Sequence, residues 1–213
     1  MTASKPPPVT VETLCQQGLA HHQAGRLEAA RECYKRAIAR DPKHFNALHL
    51  LGVLFVDTGQ AAVGAAMIRR AIAEDPTVFQ AHSNLAMALS ETGRFDEALA
   101  SSDRAIVLAP GFADGHNNRG YALSRLGRLE EAVASYDQAI ALVPIYRRAH
   151  LNRAAALRDL GRTREALAGF DNAVRLDPGD TWALAERAAL LASMTPAATA
   201  VSPSGHRSEA DDA

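Results

Sequence analysis

A frame of 34 residues runs through this chain without an insertion, and no other feature of the sequence limits the fold as strongly. Five segments align on it: GLAHHQAGRLEAARECYKRAIARDP, GVLFVDTGQAAVGAAMIRRAIAEDP, AMALSETGRFDEALASSDRAIVLAP, GYALSRLGRLEEAVASYDQAIALVP and AAALRDLGRTREALAGFDNAVRLDP. Gly25, Gly59, Gly93, Gly127 and Gly161 recur at one place in the frame; Ala37, Ala71, Ala105, Ala139 and Ala173 recur at a second; Pro42, Pro76, Pro110, Pro144 and Pro178 recur at a third. The glycine tolerates a positive φ and ends a first helix, the proline blocks continuation of a second, and the alanine leaves room for close helix contact. Each repeat therefore reads as a helical hairpin, at 11–44, 45–78, 79–112, 113–146 and 147–180. Residues 181–194, TWALAERAALLASM, match the first helix of a sixth repeat with no second helix following, and are expected to cap the stack. Hairpins of this kind bury their apolar faces only by stacking on neighbours, so the expected fold is all-α and elongated.

The residues at fixed places in the frame resemble the tetratricopeptide repeat, whose signature is a small residue at position 8, a small one at 20, an aromatic at 24, Ala at 27 and Pro at 32. Repeat 1 supplies Gly18, Ala30, Tyr34, Ala37 and Pro42; repeat 4 supplies Gly120, Ala132, Tyr136, Ala139 and Pro144; repeat 5 supplies Ala154, Ala166, Phe170, Ala173 and Pro178. Repeats 2 and 3 depart from it, with Gly64 at position 20 and with Ile68 and Ser102 in place of the aromatic, and local looseness is expected there. The family's tryptophan at position 4 is absent throughout. The resemblance covers residues 11–194. It implies a right-handed superhelical solenoid of five hairpins plus a C-terminal capping helix, with a concave surface whose usual ligands are proteins or peptides.

Composition narrows the function classes. A net charge of −1 gives no global reason to expect nucleic acid or an anionic membrane surface as partner. Arg outnumbers Lys by 20 to 3, which reads as the coding bias of a GC-rich bacterial genome before it reads as phosphate binding. No apolar run approaches the roughly 18 residues of a membrane helix, and MTASKPPPVT lacks the apolar core of a signal peptide, so a cytoplasmic protein without membrane insertion is expected. Cys15 and Cys33 form no CxxC pair and read as reduced, semi-buried thiols. Residues 1–10 and the tail TPAATAVSPSGHRSEADDA, 195–213, read as disordered.

At about 100° per residue, positions 2, 5, 6, 9, 12 and 13 of a first helix share one sector, opposite the 4, 8 and 11 positions that pack inside. In the tetratricopeptide fold that sector lines the concave groove. Position 6 reads Gln16, Leu50, Asn84, Asn118, Asn152 and Glu186, so three consecutive repeats carry asparagine there. The run resembles the asparagine ladder that holds an extended peptide backbone in the tetratricopeptide region of O-linked N-acetylglucosamine transferases. The chemistry points the same way: a carboxamide offers two donors and one acceptor, which match a peptide unit without reading its side chain. First helices about 10 Å apart and a peptide advancing about 3.3 Å per residue would let one asparagine meet every third residue. The other reading is that these asparagines simply bond along their own solvent-facing helices. Selectivity is expected from the rest of the sector: Gln80, Ser83, Met87 and Glu91 in repeat 3, Asp114, Asn117, Tyr121 and Arg125 in repeat 4, and Arg148, Arg158 and Asp159 in repeat 5. That surface is acidic toward repeat 3 and basic toward repeat 5, and suits a polar, bipolar segment. Arg119, Arg153 and Arg187 share position 7, nearer the seam between repeats, where a structural role is expected.

A grip on a C-terminal carboxylate, as in chaperone-binding clamps of the same family, needs groove lysines, and Lys occurs only at 5, 35 and 43. His82, His116 and His150 share position 4 but stand a repeat apart, about 10 Å, whereas ligands of one zinc lie within about 2 Å of it. They are expected to fill the place of the family's tryptophan instead. No phosphate loop, nucleophile elbow or HExxH is present, and no cofactor is expected. The reading is a nonenzymatic interaction module that binds an extended partner segment. The alternative is the substrate-recognition part of a glycosyltransferase whose catalytic domain lies elsewhere. Ala183, Leu190 and Met194 are expected on the side of 181–194 that a missing second helix would cover, giving a surface for weak self-association.

Overall fold

The glycine at the end of each first helix sets the hairpin geometry. In the computed structural model, which describes residues 9–194, Gly127 has φ 76°, and its four counterparts lie between 70° and 76°. The Gly127 N–H donates to the Ser124 carbonyl at 3.0 Å and the Arg128 N–H to the Leu123 carbonyl at 2.9 Å, the paired bonds that close a helix and turn the chain back. A side chain at that φ costs energy, which is why glycine stands there.

The described residues form eleven helices and no strand: α1 (Val11–Gln23), α2 (Leu27–Arg40), α3 (Phe45–Asp57), α4 (Ala61–Glu74), α5 (Phe79–Glu91), α6 (Phe95–Leu108), α7 (Ala113–Arg125), α8 (Leu129–Leu142), α9 (Arg147–Asp159), α10 (Thr163–Leu176) and α11 (Thr181–Met194). Successive pairs from α1/α2 to α9/α10 are the five hairpins, and every second helix stops one residue before the C-cap that precedes its proline. First helices of adjacent repeats touch one another, α1 on α3, α3 on α5, α5 on α7 and α7 on α9, while no second helix packs extensively on another. That asymmetry curves the stack with the first helices inside, giving an all-α superhelical solenoid. The expectation of disorder at 1–8 and 195–213 lies outside the described residues. Thr10 is not part of a disordered segment: its hydroxyl caps α1 by accepting the Thr13 N–H at 3.1 Å.

Inside repeats 1, 2 and 4 the glycine at position 8 meets the residue at position 24. A Cβ on Gly120 would lie 2.6 Å from Tyr136 Cε1, and one on Gly18 would lie 2.4 Å from Tyr34 Cε1, so each glycine makes room for a fully buried ring. Looseness in repeat 2 is not found. Ile68 is fully buried and the α3 and α4 backbones approach so closely that a Cβ on Gly64 would sit 2.6 Å from the Gly52 carbonyl oxygen. The glycine at position 20 thus compensates for the missing ring by letting the helices close up. Repeat 3 is closed as well: Ala86 and Ser102 are both fully buried, but the Ser102 hydroxyl has no hydrogen-bond partner among the described residues. The cost there is an unpaired polar group. Tyr34 Oη is likewise unpartnered, and burial pushes its pKa up to about 12.

The capping helix corrects one expectation. Ala183 and Leu190 are buried, 0% and 7% exposed, in the cluster that holds Phe170 and Ala173. They occupy positions 3 and 10, which face the preceding hairpin in each later repeat, as the fully or almost fully buried Ala149 and Ala156 do in α9. The face that a sixth second helix would cover is that of positions 4, 8 and 11, and there Leu184 and Leu191 are 39% and 41% exposed, with Met194 at 43%.

Histidines at position 4 tie the first helices of repeats 3, 4 and 5 to the loops before them. The Nε2–H of His82, His116 and His150 donates to the carbonyl of Pro76, Pro110 and Pro144 at 3.0, 2.9 and 2.9 Å. At the seam, Arg119 Nε donates to Asp103 at 2.8 Å and its Nη1 to Ser135 Oγ at 2.7 Å; Arg153 pairs with Asp137 at 2.6 Å and Arg187 with Asp171. Position 7 therefore joins neighbouring repeats. Both cysteines are buried and unbridged, and burial raises the Cys15 thiol. No helix among the described residues is long and apolar enough to cross a membrane.

Gly120→Ala forces a methyl group into the Tyr136 ring and should lower the unfolding free energy by about 1–3 kcal/mol. Ser102→Ala removes an unpaired hydroxyl and should leave stability unchanged or raise it by up to about 1 kcal/mol. Chemical denaturation of the two variants checks both signs.

Candidate binding groove

The inner face of the first helices carries the asparagines, and each is engaged across the repeat boundary. Asn118 Nδ2 donates to Ser83 Oγ at 3.0 Å and to the Ser83 carbonyl at 3.3 Å. Asn152 Nδ2 donates to Asn117 Oδ1 at 3.1 Å, and Asn84 Nδ2 lies 3.0 Å from His49 Nε2. In all three cases a position 6 amide reaches the position 5 residue of the preceding repeat, 35 residues back. An amide nitrogen only donates, so His49 Nε2 accepts and its proton resides on Nδ1. Burial holds the His49 pKa below its ordinary value, which keeps the ring neutral and that lone pair available. The run is confined to repeats 3–5: Leu50 and Cys15 cannot form the bond, and Glu186 instead accepts from Arg158 at 2.5 Å.

The tie leaves part of each carboxamide unspent. The Oδ1 atoms of Asn84, Asn118 and Asn152 have no partner among the described residues, and all three side chains are only half-buried. Bonding along each residue's own helix, the other reading of the sequence, is not what the geometry shows.

Two adjoining cavities open along this face. One, of about 320 Å³, is lined by Met87, Ser90, Glu91, Asn117, Asn118, Tyr121, Arg148 and Asn152. The other, of about 360 Å³, is lined by Gln80, Ser83, Asn84, Met87, Phe112, Asp114, Asn118, Tyr146 and Arg148. Met87, Asn118 and Arg148 are common to both, so Asn118 stands between two side-chain-sized recesses.

The repeat architecture is matched in sequence as well. Residues 49–113 and 117–181 fit the family described as Tetratricopeptide repeat, and residues 18–59 fit a second family description, TPR repeat. The chain belongs to the tetratricopeptide repeat family. Among solved structures, its fold is similar to MamA, at 23% identity and TM-score 0.68 over 79% of this chain and 92% of that one. It is similar to TTC0263, a thermophilic TPR protein of Thermus thermophilus, at 24% identity and TM-score 0.69, over 86% and 100% of the two chains. It is also similar to YrrB, described as a TPR protein with an unusual peptide-binding site, at 19% identity and TM-score 0.69, over 85% and 94%. At these identities the likeness is one of fold. No curated protein matches the sequence.

Of the fourteen groove residues singled out in repeats 3–5 of the sequence, eleven line these cavities, and Arg125, Arg158 and Asp159 do not. Arg125 turns away: its Nη1 donates to Tyr121 Oη at 3.0 Å, and its guanidinium lies 4.6 Å from the centre of the Phe95 ring. Arg158 is taken up by Asp159 at 2.9 Å and by Glu186, so its charge is already neutralised. Asn117 does line a cavity, but it is only 2% exposed and its side-chain carbonyl accepts from Asn152, which makes it an anchor for the ladder. Asp114 accepts from the Tyr146 hydroxyl, and burial followed by this carboxylate raises the Tyr146 pKa. Phe112 and Tyr146, which the helix-sector argument does not reach, enter the wall from position 34, the residue just before each first helix. Aromatics repeating at that place in the frame were the available signal. Among the described residues no group of three His, Cys, Asp or Glu side chains is placed to hold a metal.

The neutral His49 gives a pH signature. Its lowered folded pKa means that the unfolded chain binds the proton first, so the contribution is present above about pH 6.5 and is lost as pH falls through the folded pKa. Denaturation at pH 7.5 and pH 5.5 should show a larger loss for the wild type than for His49→Gln, which can still accept the Asn84 amide. Equal losses would place the pH sensitivity elsewhere.

Proposed function

We propose that this tetratricopeptide protein is a nonenzymatic interaction module whose concave groove holds an extended segment of a partner protein. The observation that supports this reading is the set of unpartnered Oδ1 atoms on Asn84, Asn118 and Asn152, each on an amide already oriented by its bond to the preceding repeat. An extended backbone presents N–H donors at regular spacing, and a fixed row of acceptors can engage them whatever the side chains are. Because the amides are positioned before the ligand arrives, little rotamer entropy is lost on binding. The recesses on either side of Asn118 then receive side chains, and Met87 and Tyr121 supply apolar wall. A peptide-binding site in the similar fold of YrrB is consistent with this use of the scaffold.

The experiment is affinity capture of partners on the wild type and on a variant with Asn84, Asn118 and Asn152 all changed to Ala. A captured partner that depends on the groove should be lost or bound at least about tenfold more weakly, equivalent to about 1.4 kcal/mol. Circular dichroism should show that the variant still melts cooperatively. Identical partner sets on a folded variant would remove the ladder from binding.

A further inference from the structure

We infer that the groove selects a segment carrying one basic and one acidic side chain on the same face, the basic one read by Glu91 and the acidic one by Arg148. This rests on the groove reading above and adds the charge pattern of the ligand to it.

Most charged side chains near the groove and its seams are already paired, as in Arg119 with Asp103, Arg153 with Asp137, Arg94 with Glu97 and Arg158 with Glu186. Glu91 and Arg148 are different. Both line the 320 Å³ cavity, yet neither side chain forms an ion pair or hydrogen bond with any described residue. They come from helices two repeats apart, Glu91 at the end of α5 and Arg148 at the start of α9, and α7 contributes Asn117, Asn118 and Tyr121 to the same cavity. The two opposite charges therefore share a recess without neutralising each other, and a ligand bearing both complementary charges would satisfy them together.

The walls suit that ligand. Met87 offers apolar surface for the methylene stem of a Lys or Arg whose head reaches Glu91. The Arg148 guanidinium is a planar fork that takes a carboxylate through two parallel hydrogen bonds. In an extended chain, side chains at even spacing lie on one face, so both charges of the ligand can enter the same recess. The backbone of the segment is left to the amides of Asn118 and Asn152, which meet it about three residues apart. Both charges are solvent-accessible, so their effect falls on selectivity and association rate and weakens with added salt. A nucleic acid does not fit, since Glu91 would face phosphate.

The probe is a phage-displayed library of random dodecapeptides, selected on the full chain and on the double variant Glu91→Lys, Arg148→Glu. The wild type should enrich sequences with opposite charges at one even spacing and in one consistent order, and the double variant should enrich the reverse order. A synthetic peptide from the wild-type selection should bind the double variant at least tenfold more weakly by fluorescence anisotropy at low salt, and the reversed-order peptide should recover the loss. Enriched peptides without that charge pair, or peptides bound equally by both proteins, overturn the charge inference; if Asn84, Asn118 and Asn152 changed to Ala abolish their binding, the groove reading survives. No enrichment on either protein overturns both.

Discussion

Close approach of two helices within each repeat sets everything downstream. A first helix can lie closely against its second only where the facing residue is small, and position 8 is Gly or Ala in all five hairpins. Gly120 admits the Tyr136 ring, Gly52 with Gly64 draws the backbones together around Ile68, and Ala86 and Ser102 are both fully buried. Because the hairpins are so alike, their stacking repeats with one geometry. Position 5 of one first helix then always falls beside position 6 of the next. The three asparagine ties are a product of that regularity, as are the histidine bonds to the proline carbonyls and the arginine pairs at the seams.

The ties give one row of side chains two tasks. Each bond is worth only about 0.5–1.5 kcal/mol net, so they do not hold the solenoid together, which the buried apolar ribbon does. Their larger effect is orientation. A free asparagine on an exposed helix samples several rotamers, whereas an amide whose N–H is committed to the preceding repeat presents its carbonyl oxygen in one direction. The buried Asn117, unsuited to selectivity, becomes intelligible as the acceptor that fixes Asn152. Neutrality of His49 serves the same purpose one repeat earlier.

Features governed by a single helix or turn were legible in the sequence. The positive-φ glycines, the proline stops and the concave sector follow from local rules and from the 34-residue frame. Relations between helices were not. Periodicity along α9 says which way Asn152 points but not that Asn117 stands next to it, since that depends on the offset of adjacent repeats. The same gap explains Arg125, drawn across to Phe95, and Arg158, drawn to Glu186. It also explains Leu190, whose side of α11 is covered by the preceding hairpin and not left for an absent helix. In repeat 2 the unusual Gly64 looked like weakened packing, because the compensating approach of α3 and α4 is visible only in three dimensions.

The tie between Asn117 and Asn152 can be measured directly by a double-mutant cycle on the unfolding free energy, with each residue changed to Ala alone and together. A bonded pair predicts a coupling of about 0.5–1.5 kcal/mol between the two substitutions. Strict additivity, with a coupling indistinguishable from zero, would contradict an amide held in place by the preceding repeat.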